Sequence, residues 1–508
     1  METQNNSQLP KDKFFTRMDE LGLALSYDDV LLKSGYSETM PTAVDTNTKF
    51  SKNIPLHIPI VSAAMDTVTE SGTAIALALL GGIGVIHKNL DIKAQAKEVG
   101  RVKHFLHGVI DTPITVLPND AVADVLRMRV ERGLDFHSFP VVDGKGKLVG
   151  IVGQVDFDFC KDESVKIKSI MNTKLLTAPV DTDPQAAYTL MLKHKKKALP
   201  LVGKGNKLDG LYTFKDVSRI VSKDQSKYTL DSNNQLRVAA AVGTGADTIK
   251  RVAELVRKGV DAIVVDTAHG DSAPVYNTIK AVKKKYPAID VVAGNVSDPA
   301  SAKRLAEAGA DGVKVGQGPG SICTTRVVAG IGAPQVSAVA ECAMAVESMD
   351  VPVIADGGIT QTGHIAIALG AGASTVMLGS LLAGTDEAPG EIVHQGGRQW
   401  KLYRGMGSLG AMKESASSRN RYGQDAATVD KLVPEGIEGM TPYKGPIEAV
   451  VHQYVGGLRA GMGYVGAKDV REMHQKARFH RITTAGKSES HPHDVLITKE
   501  APNYSPKR

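Results

Sequence analysis

Disulfide chemistry is the first thing this sequence lacks. Its three cysteines, Cys160, Cys323 and Cys342, are scattered over 508 residues, too few for a stapled framework and without metal-ligand spacing, so a lone reactive thiol is the one cysteine chemistry left open. Charge of one sign is lacking too. Against 61 basic residues stand 55 acidic ones, and a net charge of +6 gives no field that argues for nucleic acid as a partner, although a mildly basic surface suits anionic small molecules. The lysine runs at 195–197 and 283–285 read as solvated helix faces. No apolar run approaches the ~20 residues of a membrane span; the longest runs from Ala74 to Ile86. The opening residues are polar and lack the apolar centre of a secretion signal, so a cytoplasmic location with no membrane attachment is expected. No Gly-x-Gly-x-x-Gly sits between a strand and a helix with an acidic residue downstream, which argues against a Rossmann domain.

What is present is a soluble globular composition, 42% hydrophobic and 23% charged, on a chain long enough for two or three domains. Short β-branched runs recur: 58–62, 83–87, 238–243, 262–266, 291–295, 312–316, 352–356 and 375–380. They are continuously apolar, the mark of strands buried on both faces of a parallel sheet. Amphipathic stretches with glycine stops, such as Thr248 to Gly259, lie between them. The expected fold is α/β, a (β/α)8 barrel, whose chemistry belongs at the strand C-termini.

The interval 108–230 has another texture and an internal repeat. Phe139-Pro140-Val141-Val142 and Gly150-Ile151-Val152-Gly153-Gln154-Val155-Asp156 are echoed by Leu199-Pro200-Leu201-Val202 and Gly210-Leu211-Tyr212-Thr213-Phe214-Lys215-Asp216. Two small modules, 108–168 and 169–230, are therefore expected inside a barrel formed by 1–107 and 231–508. The repeat resembles tandem cystathionine-β-synthase (CBS) domains, a Bateman module. That resemblance implies a regulatory purine nucleotide, ATP or GTP, near Asp156, Thr213 and Asp216; Gly153 stands where the family pattern has threonine, which puts the first site in question. A purely structural insert is the alternative. An insert that leaves a barrel closed enters and leaves at adjacent points of one loop, so its motion can bias the catalytic face.

The most informative segment follows the strand Val313-Lys314-Val315: Gly316-Gln317-Gly318-Pro319-Gly320-Ser321-Ile322-Cys323-Thr324-Thr325-Arg326. Its glycines let backbone curl around a ligand or ion. A loop thiol at a strand C-terminus can be activated as a nucleophile by backbone N–H groups or cations; an inert packed cysteine is the other reading. Cys342 reads as the core face of a helix and Cys160 as structural. The strand ends Asp356-Gly357-Gly358 and Gly379-Ser380 offer N–H donors for a phosphate and a carboxylate for ribose hydroxyls; alternatively Asp356 is a helix cap.

The string Gly-Pro-Gly-Ser-Ile-Cys-Thr-Thr-Arg closely resembles the active-site loop of the IMP dehydrogenase / GMP reductase family, and the resemblance runs from Ser26-Tyr27-Asp28-Asp29-Val30 to Ser490-His491-Pro492-His493-Asp494-Val495. It implies a purine-biosynthetic oxidoreductase in which Cys323 adds to C2 of IMP, hydride passes to NAD, and water releases XMP, the committed step toward GMP. Ser321 and Thr325 would lie beside substrate and water. Tyr403, Gly405, Met406 and Gly407 would surround phosphate and base, Glu435 would pair with the purine edge, and Ala63 and Met65 would line the other side. For NAD the resemblance implies Asp266, Thr267, Ala268 and Asn295 with Gly316 and Gly318, completed by Tyr464 of a neighbouring subunit. His269 could be taken for a general base, but the resemblance makes it a packing or stacking residue.

Carbonyls of Gly318, Gly320 and Cys323, joined by those of Glu489, Ser490 and His491 from a neighbour, would hold potassium in a homotetramer or octamer. A mobile flap at about 410–435 would carry Arg421 and Tyr422, which activate the hydrolytic water. Arginine is ordinarily always protonated, so that role rests on the resemblance. GMP reductases typically lack the Arg-Tyr pair, which favours the dehydrogenase; a catalytically inactive nucleotide sensor is the reading from a different class.

Overall fold

The computed structural model describes residues 9–110, 113–131, 134, 138–222, 225–424, 431–499 and 501–504. Eight strands close into a parallel barrel in the order β3-β4-β5-β6-β7-β8-β1-β2: β1 (Ile60–Ser62), β2 (Ile83–Ile86), β3 (Ala239–Val242), β4 (Ala262–Asp266), β5 (Asp290–Val296), β6 (Gly312–Val315), β7 (Val353–Asp356) and β8 (Thr375–Leu378). Each coincides with one of the eight apolar runs. The closure pairs Ala239 with Val85 and Val376 with Ile60.

The barrel interior explains why one end is open and the other is not. A hairpin, Thr48–Ser51 with Ile54–Leu56, drives Phe50, Ile54 and Leu56 into the core formed by Val61, Val85, Ala239, Val264, Val292, Ile354 and Met377. The hairpin is fixed at the strand N-termini, where Ser51 donates to the Asp290 carboxylate at 2.5 Å. Alanines at 239 and 241 leave room for these larger side chains. With that end plugged by apolar atoms, polar groups gather at the C-terminal mouth.

After β8 come three antiparallel strands, β9 (Ile392–Gln395), β10 (Arg398–Arg404) and β11 (Glu438–Pro442), with β10 central. Between β10 and β11 run two short helices, Leu409–Glu414 and Ala416–Arg421. Residues 425–430, inside the expected flap, lie outside the described residues.

The chain divides into two compact units, Met1–Lys103 with Ser226–Arg508, and His104–Gln225. Residues 226–230, placed with the insert on sequence, belong to the first: the Thr229 N–H donates to the Ala78 carbonyl at 2.9 Å. The second unit holds two hairpins, Phe139–Val142 with Leu148–Val152 and Ala198–Val202 with Leu208–Thr213. Each has its own core, one around Phe139, Val152 and Phe157, the other around Leu199, Tyr212 and Val217. The repeated Phe-Pro-Val-Val and Leu-Pro-Leu-Val segments are the first strands of these hairpins. Among the described residues no helix is long and apolar enough to cross a membrane.

Candidate active site

The loop after β6 is shaped by a residue that only glycine can supply. Gly316 has φ +147°, and a Cβ there would stand 2.1 Å from the Asp356 carbonyl oxygen, so backbone of β6 and β7 meets directly at the mouth. The loop then turns, with the Cys323 N–H donating to the Gly320 carbonyl at 3.1 Å. It is zipped to a second segment: Cys323 bridges Gly436, Thr324 donates to the Glu435 carbonyl at 2.9 Å, and Ile437 donates to the Ile322 carbonyl at 3.1 Å. The half-buried Cys323 thiol donates to the Thr325 hydroxyl at 3.2 Å. Cys342 is buried in its helix, where desolvation pushes the thiol pKa up and keeps it protonated; Cys160 donates to the Asp162 carbonyl within the insert.

Around Cys323 lies a cleft of about 830 Å³, lined also by Ala63, Met65, Asp266, Ala268, Asn295, Gly318, Gly320, Asp356, Met406 and Glu435. It shares Asp356, Gly357 and Tyr403 with a second lobe of about 500 Å³ that reaches Ser321, Gly358, Gly379 and Ser380. Strand β8 ends there. A Cβ on Gly379 would lie 3.0 Å from the Tyr403 hydroxyl and 3.3 Å from the Met65 sulfur, so even a methyl at position 379 would crowd the lobe's lining. Burial pushes the Tyr403 phenol up to about 12, opposed by a hydrogen bond with Ser321 and reinforced by the charges of Asp356 and Cys323. It is a neutral donor at physiological pH, suited to a phosphate oxygen.

The carboxylates at the mouth come from opposite sides of the cleft. Asp266 ends β4 and Asp356 ends β7. A bulge in β5 leaves Asn295 unpaired with β6, re-aiming its side chain, and its amide donates to the Gly316 carbonyl at 2.7 Å and to Asp356 Oδ2 at 2.9 Å. From β6 the buried Lys314 donates to Asp266 at 3.0 Å, to Asp356 at 2.7 Å and to the Asn295 side-chain oxygen. Sequence reasoning missed Lys314, although a lysine inside a continuously apolar strand was the available signal, since full burial requires a charge partner.

The flap helix Ala416–Arg421 reaches this cluster. Arg421 is ion-paired with Asp266, and its carbonyl accepts the Ala268 N–H at 3.2 Å. Its buried Nε–H has no hydrogen-bond partner among the described residues. The Tyr422 ring lies against Gly407, where a Cβ would be 2.6 Å from it; burial pushes that phenol up as well. Ser418 donates to the Asn89 side chain at 2.9 Å, and Asn89 donates to Asp66 at 2.8 Å. Asp66 and Glu414 share Arg404. Asn89, Asp66 and Arg404 were also missed, because only the fold brings them to the flap.

A family model described as "IMP dehydrogenase / GMP reductase domain" matches residues 24–493. The chain belongs to the IMP dehydrogenase / GMP reductase family. Among curated relatives, an inosine-5'-monophosphate dehydrogenase of Aquifex aeolicus is 53% identical over 94% of this chain and 97% of its own length. One of Bacillus subtilis is 49% identical over 95% and 98%. Among solved structures, a GMP reductase from Trypanosoma brucei in complex with guanosine 5'-monophosphate is similar at TM-score 0.80 and 39% identity, covering 93% of this chain and 98% of that one.

Several residues that the family resemblance singled out lie elsewhere in the single chain. Thr267 is buried, its hydroxyl donating to the Gly294 carbonyl. Tyr464 is 71% exposed at the end of helix Ile447–Val465. Glu489 ends helix Thr484–Glu489; Ser490 donates back to the Gly486 carbonyl, and the His491 ring stands 3.2 Å from the Tyr504 hydroxyl. His269 is exposed beside Gln317. Among the described residues no group of His, Cys, Asp and Glu could hold a metal ion. In the insert, Thr213 donates to Asp216 at 2.6 Å, whereas Gly153 offers only its N–H to Asp156 at 2.7 Å.

Proposed function

We propose that this chain oxidises IMP to XMP through a covalent adduct on Cys323. The observation that carries the reading is Arg421, held by Asp266 in the same cleft as the Cys323 thiol. Cys323 bonds C2 of the purine with Thr325 beside it, Asp356 accepts from the ribose hydroxyls, and the glycine ends of β7 and β8 with Tyr403 take the phosphate. Once the flap occupies the mouth, Arg421, assisted by Tyr422, activates the water that frees XMP and regenerates the thiol. Splitting the reaction into thiol addition with loss of the C2 hydride to the acceptor, and hydrolysis of the adduct that returns the thiol, lowers the barrier of each step.

NAD, when bound, supplies the hydride acceptor. Asp266, Ala268 and Asn295 would hold it, with Tyr464 of a neighbouring subunit, and the chemistry fits: Asp266 is a carboxylate lining the cleft, with one oxygen taken by Lys314 and the other met by Arg421 of the flap. Potassium suits the carbonyls of Gly318, Gly320 and Cys323, joined by a neighbour's residues 489–491. The Gly320 carbonyl accepts one N–H and keeps a second lone pair for a cation. These cross-subunit roles imply a homotetramer or an octamer. The unit 104–225 would act as two CBS modules binding ATP or GTP, with Thr213 and Asp216 as the intact site.

The second reading is GMP reductase, the activity named for a solved structure similar to this chain. Against it stand the roughly 50% identities to relatives named as dehydrogenases and the Arg421–Asp266 pair. The test is to supply IMP with NAD+ and, separately, GMP with NADPH. Growth of NADH absorbance with formation of XMP supports the dehydrogenase; NADPH consumption with GMP alone assigns the reductase, and no turnover in either assigns a sensor.

A further inference from the structure

Lys314 has no part in the proposed reaction, yet each donor of its buried ammonium is engaged. It is 1% exposed. An ammonium has three N–H donors, and Lys314 spends them on three acceptors: Asp266 Oδ1 at 3.0 Å, Asp356 Oδ2 at 2.7 Å and the Asn295 side-chain oxygen. None is left for a ligand, so its effect passes through the residues it holds. Its two carboxylates serve different molecules in the proposed reaction: Asp356 faces the IMP ribose, and Asp266 faces NAD or, with the flap in place, Arg421. The remaining charge on Asp266 is met by Arg421 from the flap, while Lys88 donates to its backbone carbonyl at 3.0 Å. Without Lys314, Asp266 and Asp356 would lose the ammonium they share and face one cleft as two carboxylates.

We infer that Lys314 is a positioning residue that joins the two ribose acceptors, so that IMP and NAD are held by one charge cluster instead of two independent sites. The inference rests on the reaction proposed above. It requires that loss of Lys314 weaken both ligands, and that its effect on IMP run through Asp356 alone.

The test measures IMP binding by calorimetry without NAD, and KM for NAD at saturating IMP, in the full-length protein and in Lys314→Met, Asp356→Asn and the double variant. Lys314→Met is expected to raise both values on the order of ten- to hundredfold, the worth of a hydrogen bond to a charged group. In the double variant IMP affinity should match that of Asp356→Asn, while KM for NAD stays raised. A residue with a merely structural role would add its cost in both measurements. The double variant removes one cation and one carboxylate together, so it remains informative if Lys314→Met does not fold. Unchanged affinities in Lys314→Met, or additive losses of IMP binding, overturn the inference. Failure of the unmutated protein to reduce NAD+ with IMP overturns the reaction instead, and the IMP calorimetry still decides the coupling to Asp356.

Discussion

Arg421 and Asp266 form an ion pair at the barrel mouth. In the proposed reaction Asp266 also holds the NAD ribose, so flap and dinucleotide compete for one carboxylate. Replacing Arg421 with Ala should remove the competitor and the water-activating group together. NADH should then appear as a burst of one equivalent per site, followed by turnover slowed by about 10²–10⁴-fold, the usual worth of a positioned acid or base. KM for NAD should not rise. Rapid-mixing absorbance checks both; slow NADH formation in the first turnover would place Arg421 in the oxidation step.

The flap is also held from below. Ser418 is fully buried and donates to Asn89, which donates to Asp66. Ser418→Ala should cost the closed flap about 1 kcal/mol. With closure weakened, KM for NAD should fall severalfold and steady-state kcat should fall with it, since hydrolysis needs the flap in place. An unchanged KM in steady-state kinetics would show that the flap does not compete with NAD.

Gly379 leaves the phosphate lobe open. Its φ is −102°, so alanine strains no backbone, but its methyl would press on the Tyr403 hydroxyl and the Met65 sulfur. Gly379→Ala should lose about 1–3 kcal/mol of folding stability, the usual cost of overpacking, and should weaken IMP binding as well, because the displaced Tyr403 and Met65 side chains line the same lobe. Calorimetry with IMP, read beside thermal unfolding, checks it.

Tyr403 gives a pH signature. Its phenol is raised from the ordinary tyrosine value near 10.0 to about 12, chiefly by burial. A raised pKa means that the folded state resists ionisation, so the stabilisation is complete below pH 10 and is lost as pH climbs from about 10 to 12. Relative to Tyr403→Phe, the unmutated protein should lose about 2–3 kcal/mol across that window. Urea unfolding at stepped pH reads the difference; a constant difference between the two proteins would mean that the phenol is not held neutral.

The barrel was legible because its strands are buried on both faces and therefore continuously apolar; all eight runs became strands. Cys323 and the glycine-rich turn were legible for a local reason, since a thiol, glycines with unusual φ and a strand end lie within a dozen residues. Lys314 was not. A lysine between two valines can be read as one solvated position, and only barrel closure shows that β4 and β7 both turn a carboxylate toward it. The Arg421–Asp266 pair was hidden for the same reason, because its members are joined by tertiary packing and by no local pattern. The hairpins of the insert followed from its repeat, but its boundary at 225 depends on contacts such as Thr229 with Ala78, which composition does not encode.

The central claim is that the Cys323 sulfur becomes bonded to the purine. Its most direct measurement is the intact mass of protein quenched in acid while turning over IMP and NAD+, followed by mapping of the modified peptide. The account predicts a mass increase of one purine nucleotide on the peptide containing Cys323, more abundant in Arg421→Ala and absent in Cys323→Ala. Normal turnover by Cys323→Ala, or a nucleotide attached at another residue, would contradict it.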